Sequence, residues 1–127
     1  MGAKSDSDVL EVSGVNCVVL RGTVSSVPEV RELLTGKVVT SFNLSTTTGA
    51  GTWSVPVSIE GTLVDGVDEG VDVVVVGGVR RRFFRSGGSV QSRTEVSATK
   101  VVASRKRMTA RRVVDTMFDD VMAVLDL

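Results

Sequence analysis

The chain has 127 residues with fifteen basic and fifteen acidic side chains, so its formal net charge is zero. It contains one cysteine and no histidine, which excludes an internal disulfide, a zinc site of the usual Cys/His kind and a Ser-His or Cys-His nucleophile pair. The length suits one domain around one core. No apolar run approaches the roughly 20 residues of a membrane-spanning helix, and the polar N-terminus lacks the apolar core of an export signal. We therefore expect a non-enzymatic cytoplasmic domain without a cofactor or metal.

The zero net charge conceals a segregation of charge along the chain. Residues 1–79 contain four basic and ten acidic side chains, whereas residues 80–112 contain eleven basic side chains and one acidic side chain, Glu95. Residues 113–127 carry four aspartates and no base. This asymmetry favours a positive surface and an acidic tail that competes for it, although strand and helix ends could also scatter the charges over the surface.

The first half of the chain is typical of short β-strands separated by turns. In the first predicted strand, Gly22 interrupts an alternating pattern and indicates a bulge or bend. A connection with turn residues at Pro28 and at Thr35-Gly36 leads to the second strand, and a flexible glycine turn leads to the third. Pro56 in the third strand cannot donate to a ladder, so it predicts an edge position or a bulge.

The second half begins with GTLVDGVDEG, which predicts a turn or a single helical turn. The fourth strand starts apolar on both faces and ends in RRRFFR, and after the turn SGGS the fifth strand returns antiparallel. Five strands with a bent first strand predict a small closed barrel. The predicted strands span residues 15–25, 38–46, 53–60, 71–84 and 90–102.

The segment from residue 104 onward differs in kind. Apolar residues at helical spacing predict an amphipathic helix from about Thr109 to Leu125. The residues of that apolar stripe are Val114, Met117 or Phe118, Val121 and Leu125. The helix could pack on the barrel or between subunits, or its acidic end could dock a partner protein. The residues of such a docking element would be Phe118, Asp119, Asp120, Asp126 and Leu127. The basic run Arg105 to Arg112 could bind phosphate or form the polar face of the helix.

Four segments, in order and with compatible spacing, resemble the bacterial single-stranded DNA-binding proteins, which are OB-fold homo-oligomers. GVNCVVLRGTVSSVPEVR is similar to that family's first strand and connector, TGKVVTSFNLST to its second strand, GVDVVVVGGVRRRFF to its fourth and SRTEV to its fifth. The resemblance implies an all-β protein: a five-stranded OB-fold barrel with an extended hairpin between its fourth and fifth strands, followed by the C-terminal amphipathic helix. We expect a flexible segment at residues 1–13, the OB-fold domain at 14–103, and the basic run with the helix at 104–127.

In that family, single strands lie along basic grooves and their bases stack on aromatic side chains, as a binder without sequence preference requires. Arg80, Arg82 and Phe84 share one face of the fourth strand, and Phe84 falls at the family's aromatic position. Phe83 and Arg85 take the other face, where Phe83 could equally be a packing residue. The candidate nucleic-acid-binding residues are Arg21, Arg31, Lys37, Trp53, Arg80, Arg82, Phe84, Arg85 and Arg93.

The third strand departs from the family pattern. Trp53 lies one residue further from Gly61 than the family's tryptophan would, so it either packs at the barrel rim or stacks on a base. Glu60 occupies a further aromatic position, where it cannot stack and would repel phosphate. The loop between the second and third strands is also shorter than in the family. We therefore expect weaker binding than that of a typical member.

Taken with the charge pattern, the resemblance predicts sequence-nonspecific binding of single-stranded DNA in replication, repair or recombination, with RNA as a variant ligand. The expected partners are single-stranded DNA, further copies of the chain in a dimer or tetramer, and replication or repair proteins at the C-terminal segment. The expected location is cytoplasmic and associated with the nucleoid, with no membrane partner. The alternative is a protein-interaction or oligomerisation module on the same barrel with reduced nucleic-acid affinity.

Overall fold

The computed structural model describes residues 14–125, so the predicted flexible segment 1–13 and the terminal Asp126-Leu127 lie outside the described residues. The described residues form six strands and one helix. In chain order they are β1 (Val18–Val24), β2 (Glu29–Glu32), β3 (Val38–Thr48), β4 (Gly51–Glu60), β5 (Asp72–Ser86), β6 (Ser89–Ala103) and α1 (Arg107–Leu125).

Five of these strands close into a barrel. β1 pairs with β5, β5 with β6, and β3 with β4, all antiparallel, whereas β4 and β6 run parallel. The barrel closes because β1 also pairs with β3 through Thr23 and Val24. β2 is an extra strand on the outer edge of β3. The chain is therefore an all-β OB-fold barrel with a long β5–β6 hairpin and a C-terminal helix, as the sequence predicted.

The core consists of the side chains that alternate into the barrel. Val24, Leu44, Val73 and Val75 have no exposed surface, and Val57 is 1% exposed. Burial of each such side chain contributes about 1.5–3 kcal/mol. The alternation of apolar residues that predicted the strands thus marks the inner face of the barrel.

Both faces of β5 are buried at its first half, for two different reasons. Val73 and Val75 point into the core, whereas Val74 and Val76 lie on the outer face, where the cavities between sheet and helix are lined by residues of α1. Ala110 is the buried residue of α1. The helix therefore packs on the outside of the barrel, and it begins two residues before the predicted start. Within the described residues 14–125, no helix has the length and apolar composition needed to span a bilayer.

Two local predictions, at Gly22 and at Pro56, each offered a bulge as one of two alternatives. A Cβ on Gly22 would collide with the carbonyl oxygen of Ser45, so this glycine permits the close crossing of β1 and β3. The β1–β5 ladder runs without a register shift, so of the predicted bulge or bend at Gly22 the bulge is absent. The bend fits the structure, since β1 passes from β5 to β3 at Thr23 and Val24. β4 as a whole lies between β3 and β6, but its ladder with β6 covers only Val57–Ile59. At Pro56 the strand pairs with β3 alone, opposite Asn43 and without a register shift, so Pro56 lies at a local edge, as predicted, and the alternative of a bulge is wrong.

The connections are also more ordered than predicted. Within the predicted connection after Pro28, residues Glu29–Glu32 form β2. The predicted flexible turn between the second and third strands is mostly ladder, since Thr47 pairs with Thr52 and Thr48 with Gly51. The segment after β4 contains turns rather than a helical turn.

Candidate nucleic-acid interface

β5 and β6 continue beyond the barrel as a two-stranded hairpin, residues 80–94, which we call the arm. The β1–β5 ladder ends at Gly77, and the β4–β6 ladder begins at Val96, so the arm pairs only with itself. At its base, the Asn16 amide donates to the Val79 carbonyl oxygen at 2.8 Å and accepts from the Val79 amide at 2.7 Å. Asn16 thereby replaces the missing strand partner where β5 leaves β1.

The tip of the arm is a tight turn. Ser86 pairs with Ser89, and the two residues between them, Gly87 and Gly88, have φ angles of 59° and 82°. Two consecutive positive φ angles are typical of a type I′ hairpin turn. The arm is about 20 Å long at the usual rise per strand residue, and residues 80–94 contain no acidic side chain.

The register of the arm places three cations around a single carboxylate on its outer face. It pairs Arg80 with Glu95, Arg82 with Arg93, and Phe84 with Gln91. Arg80, Arg82 and Phe84 therefore share one face, and Arg93 is the cross-hairpin neighbour that the sequence suggested.

Glu95 is the centre of this cluster. Its side chain is 2% exposed, and its Oε2 accepts hydrogen bonds from Arg80 Nη2 at 2.6 Å and from Ser58 Oγ at 2.7 Å. Arg93 Nη2 lies 3.9 Å from Oε1. Burial by itself would raise the pKa of Glu95, but the hydrogen bonds from Arg80 and Ser58 and the charges of Arg80 and Arg82 outweigh it and hold the pKa below its ordinary value. Glu95 is therefore ionised at neutral pH.

One carboxylate cannot neutralise three guanidiniums, so the cluster retains about two positive charges. Arg82 and Arg93 stand directly opposite each other on neighbouring strands. Like charges in that position destabilise a sheet. Phe84 lies beside them on the same face and is 39% exposed. The outer face thus combines cations free to bind an anion with an accessible aromatic ring.

The outer face adjoins two open clefts on the surface of β3 and β4. One, of about 530 Å³, is lined by Lys37, Ser58 and Arg80 among others. The other, of about 190 Å³, includes Asn43 and Arg93. This strand surface is where OB-folds bind oligonucleotides.

Trp53 belongs to a different surface. It shares the face of β4 that carries Val55 and Val57, which continues the barrel interior, and it is 47% exposed. Because β4 and β6 run parallel, the β3–β4 and β5–β6 hairpins project from the same end of the barrel. Phe83 and Arg85 lie on the side of the arm that also continues the interior, opposite Phe84. The structure therefore separates Trp53 and Arg85 from the Phe84 face.

The remaining predicted residues lie elsewhere. Arg21 Nε forms an ion pair with Asp72 Oδ1 at 2.9 Å, near the start of α1. Arg31 is exposed on β2. Lys37 Nζ lies 3.8 Å from Glu60 Oε1. Of these residues, only Lys37 borders the same cleft as the arm.

Glu95 and Ser58 are parts of this interface that sequence reasoning did not assign. They are 37 residues apart in the chain and meet because β4 and β6 are neighbours. The available signal was the position of Glu95 as the single acid among eleven bases in residues 80–112. Its burial was not visible in that pattern.

The fold has a solved counterpart. The dimeric N-terminal domain of the PriB protein from Thermoanaerobacter tencongensis superposes with a TM-score of 0.55 and 22% identity, over 69% of this chain and 94% of that one. At this identity the likeness establishes the fold. No protein-family model matches the sequence, and no curated protein matches it.

Proposed function

We propose that this protein binds single-stranded DNA without sequence preference, in replication, repair or recombination. The observation that carries the proposal is the outer face of the arm, where Arg80, Arg82 and Arg93 surround one buried carboxylate beside the exposed ring of Phe84. A nonspecific binder needs cations for phosphates and flat side chains for bases, and this face supplies both. RNA offers the same phosphates and π faces, so it is a variant ligand.

The resemblance to bacterial single-stranded DNA-binding proteins supports the same ligand, since RRRFFR carries the matching aromatic position. The scarcity of aromatic side chains on this face argues for modest affinity. Each stacked base contributes about 1–3 kcal/mol, and Phe84 is the aromatic ring of the outer face in the described residues.

The proposal is tested by titrating labelled oligo-dT with the protein at low and moderate salt. We expect binding that weakens as salt rises, because phosphate contacts release counterions. Phe84→Ala should reduce affinity by about 1–3 kcal/mol and leave the salt dependence nearly unchanged, since it removes a stacking contact but no charge. Absence of salt-dependent binding by the folded wild type would end the proposal.

A second candidate function is self-association or protein interaction through α1. Phe118, Met122 and Leu125 are exposed apolar side chains that share one side of the second half of the helix. The solved structural counterpart is itself dimeric. We propose that a second copy of this chain covers these side chains, in addition to nucleic-acid binding by the arm.

A further inference from the structure

We infer that the arm binds single-stranded nucleic acid on both of its faces, so that one protomer holds two strand segments at once. This inference rests on the proposed function and extends it to the face that carries Phe83. The outer face is the one described above, with Arg82 and Phe84. The second face is built by the alternate residues of the same strands.

The register defines the second face. It pairs Arg81 with Thr94, Phe83 with Ser92, and Arg85 with Val90. Arg81 and Arg85 therefore flank Phe83 on one side of the hairpin, so this face combines cations for phosphates with an aromatic ring for a base. Arg81 Nε donates to Ser92 Oγ at 3.2 Å, which orients that guanidinium on the second face.

The exposure of the two phenylalanines argues against a packing role for Phe83. Its side chain is 67% exposed, compared with 39% for Phe84 on the outer face. A ring buried in the core would show almost no exposed surface, as Val73 and Val75 do. The face is also free of acidic side chains, because residues 80–94 contain none. Its charge is therefore complementary to a phosphate backbone.

Trp53 provides a second aromatic ring on the same side. It lies four residues before Val57, and Ser92 lies four residues before Val96, the partner of Val57 in the parallel ladder. Trp53 and the Phe83–Ser92 pair are therefore at the same level along the two projecting hairpins, on the sides that continue the barrel interior. A strand between the hairpins would have a ring available on each.

The test counts bound oligonucleotides. An oligo-dT of about six nucleotides falls within the ~4–16 nucleotides that one OB-fold covers. We expect two such oligonucleotides per protomer at saturation and low salt, measured by native mass spectrometry. Phe83→Ala and Phe84→Ala form a matched pair, since each removes one exposed ring from one face. Each should weaken one of the two sites by roughly 5- to 150-fold and leave the other intact.

Trp53 is the single tryptophan, so its fluorescence reports the second face directly. We expect oligo-dT to quench the Trp53 fluorescence of the wild type and of Phe84→Ala, but not that of Phe83→Ala. Thermal melts followed by circular dichroism should show both variants folded.

The two-faced arm would be overturned if the wild type bound one oligonucleotide per protomer without a change in Trp53 fluorescence, and if Phe84→Ala abolished that binding. The proposed function would then still stand. No binding at all would overturn the proposed function itself. A Phe83→Ala variant that binds both oligonucleotides with wild-type affinity would place the second site elsewhere. A Phe83→Ala variant whose sedimentation mass falls while its oligonucleotide count is unchanged would assign this face to a protein interface. Each of these last two results also rejects the two-faced arm.

Discussion

At the scale of single residues, neighbouring arginines of the arm have different roles, one in the fold and one in binding. Arg80 donates a 2.6 Å hydrogen bond to a carboxylate that is 2% exposed, so it is committed to the fold. Arg82 stands opposite Arg93 and contributes charge to Glu95 without a direct ion pair. Arg82 is therefore the cation best placed to contact a phosphate, and Arg80 is a positioning residue.

This difference predicts opposite outcomes for two equivalent substitutions. Arg82→Gln should leave stability nearly unchanged and reduce the slope of log K against log salt by about 0.7, the value for one phosphate contact on a single strand. Arg80→Gln should cost about 1–3 kcal/mol of unfolding free energy, because it removes a hydrogen bond from a buried charge. Oligo-dT titrations at several salt concentrations and urea unfolding measure the two effects. An unchanged salt slope in Arg82→Gln would remove that residue from the interface.

Glu95 predicts a pH dependence whose sign follows from its pKa. Since the folded-state pKa lies below the ordinary value of 4.5, ionised Glu95 stabilises the fold above that pH, and the contribution is lost as pH falls through the folded pKa. Glu95→Gln should be less stable than wild type at pH 7 by about 1–3 kcal/mol. The gap should narrow as both proteins are brought from about pH 6 down to about pH 3.

The comparison is made by thermal melts of the two proteins at each pH. Other carboxylates titrate in both proteins, so the difference between them isolates Glu95. A gap that stays constant or widens toward acid would show that Glu95 is not held ionised by its neighbours.

At the scale of elements, two glycines let strands approach closely. A Cβ on Gly77 would collide with the carbonyl oxygen of Ser97 and lie 2.8 Å from the Ala98 Cα, beside the register shift that follows Val76. The neighbouring atoms are backbone, which cannot yield as a side chain would. Gly22 is in the same situation against Ser45.

Gly77→Ala should therefore destabilise the protein by about 1–3 kcal/mol or more, as overpacking of a tight interior does. Gly49→Ala is the matched control, since nothing lies within 4 Å of an added Cβ there. That change should stay within about 0.5 kcal/mol. Urea unfolding of both variants measures the difference, and equal stability of the two would contradict the close approach at Gly77.

At the scale of the whole molecule, the two ends of α1 differ in charge and in contact. The basic run 105–112 leads into the helix and the acidic residues Asp115, Asp119 and Asp120 follow. This order opposes the helix dipole, which favours acids at the start and bases at the end. The helix contacts β5 and β6, where Ala110 is buried, while Phe118 is 57% exposed.

We predict that the protein self-associates through that exposed side of α1. Sedimentation equilibrium at micromolar concentration should give a mass above the 13.4 kDa of one chain. Phe118→Asp should lower it, because burying a charge in an apolar interface is unfavourable. Met108→Asp is the control, since Met108 is also exposed, at 78%, but lies at the other end of the helix. If the wild type sediments with the mass of a single chain, self-association is rejected. If Phe118→Asp keeps the mass of the wild-type oligomer, the interface lies on the barrel instead.

Most of the fold could be predicted from the sequence, because strand formation depends on local alternation. Val73 to Val76 showed a strand buried on both faces, and the structure adds the reason, since the core covers Val73 and Val75 while α1 covers Val74 and Val76. β2 was missed because its four residues are all exposed and show no alternation in burial.

The composition of the arm was determined by the sequence alone, because side chains on a strand alternate between faces with a period of two. That period separates Arg82 and Phe84 from Phe83 without knowledge of any partner strand. Only the tertiary structure decided what each face meets. The parallel pairing of β4 with β6 brings Ser58 to Glu95 and commits Arg80 to that carboxylate, and it places Trp53 on the side of Phe83. These contacts join residues far apart in the chain, so they depend on strand pairing and register, which local sequence patterns do not specify.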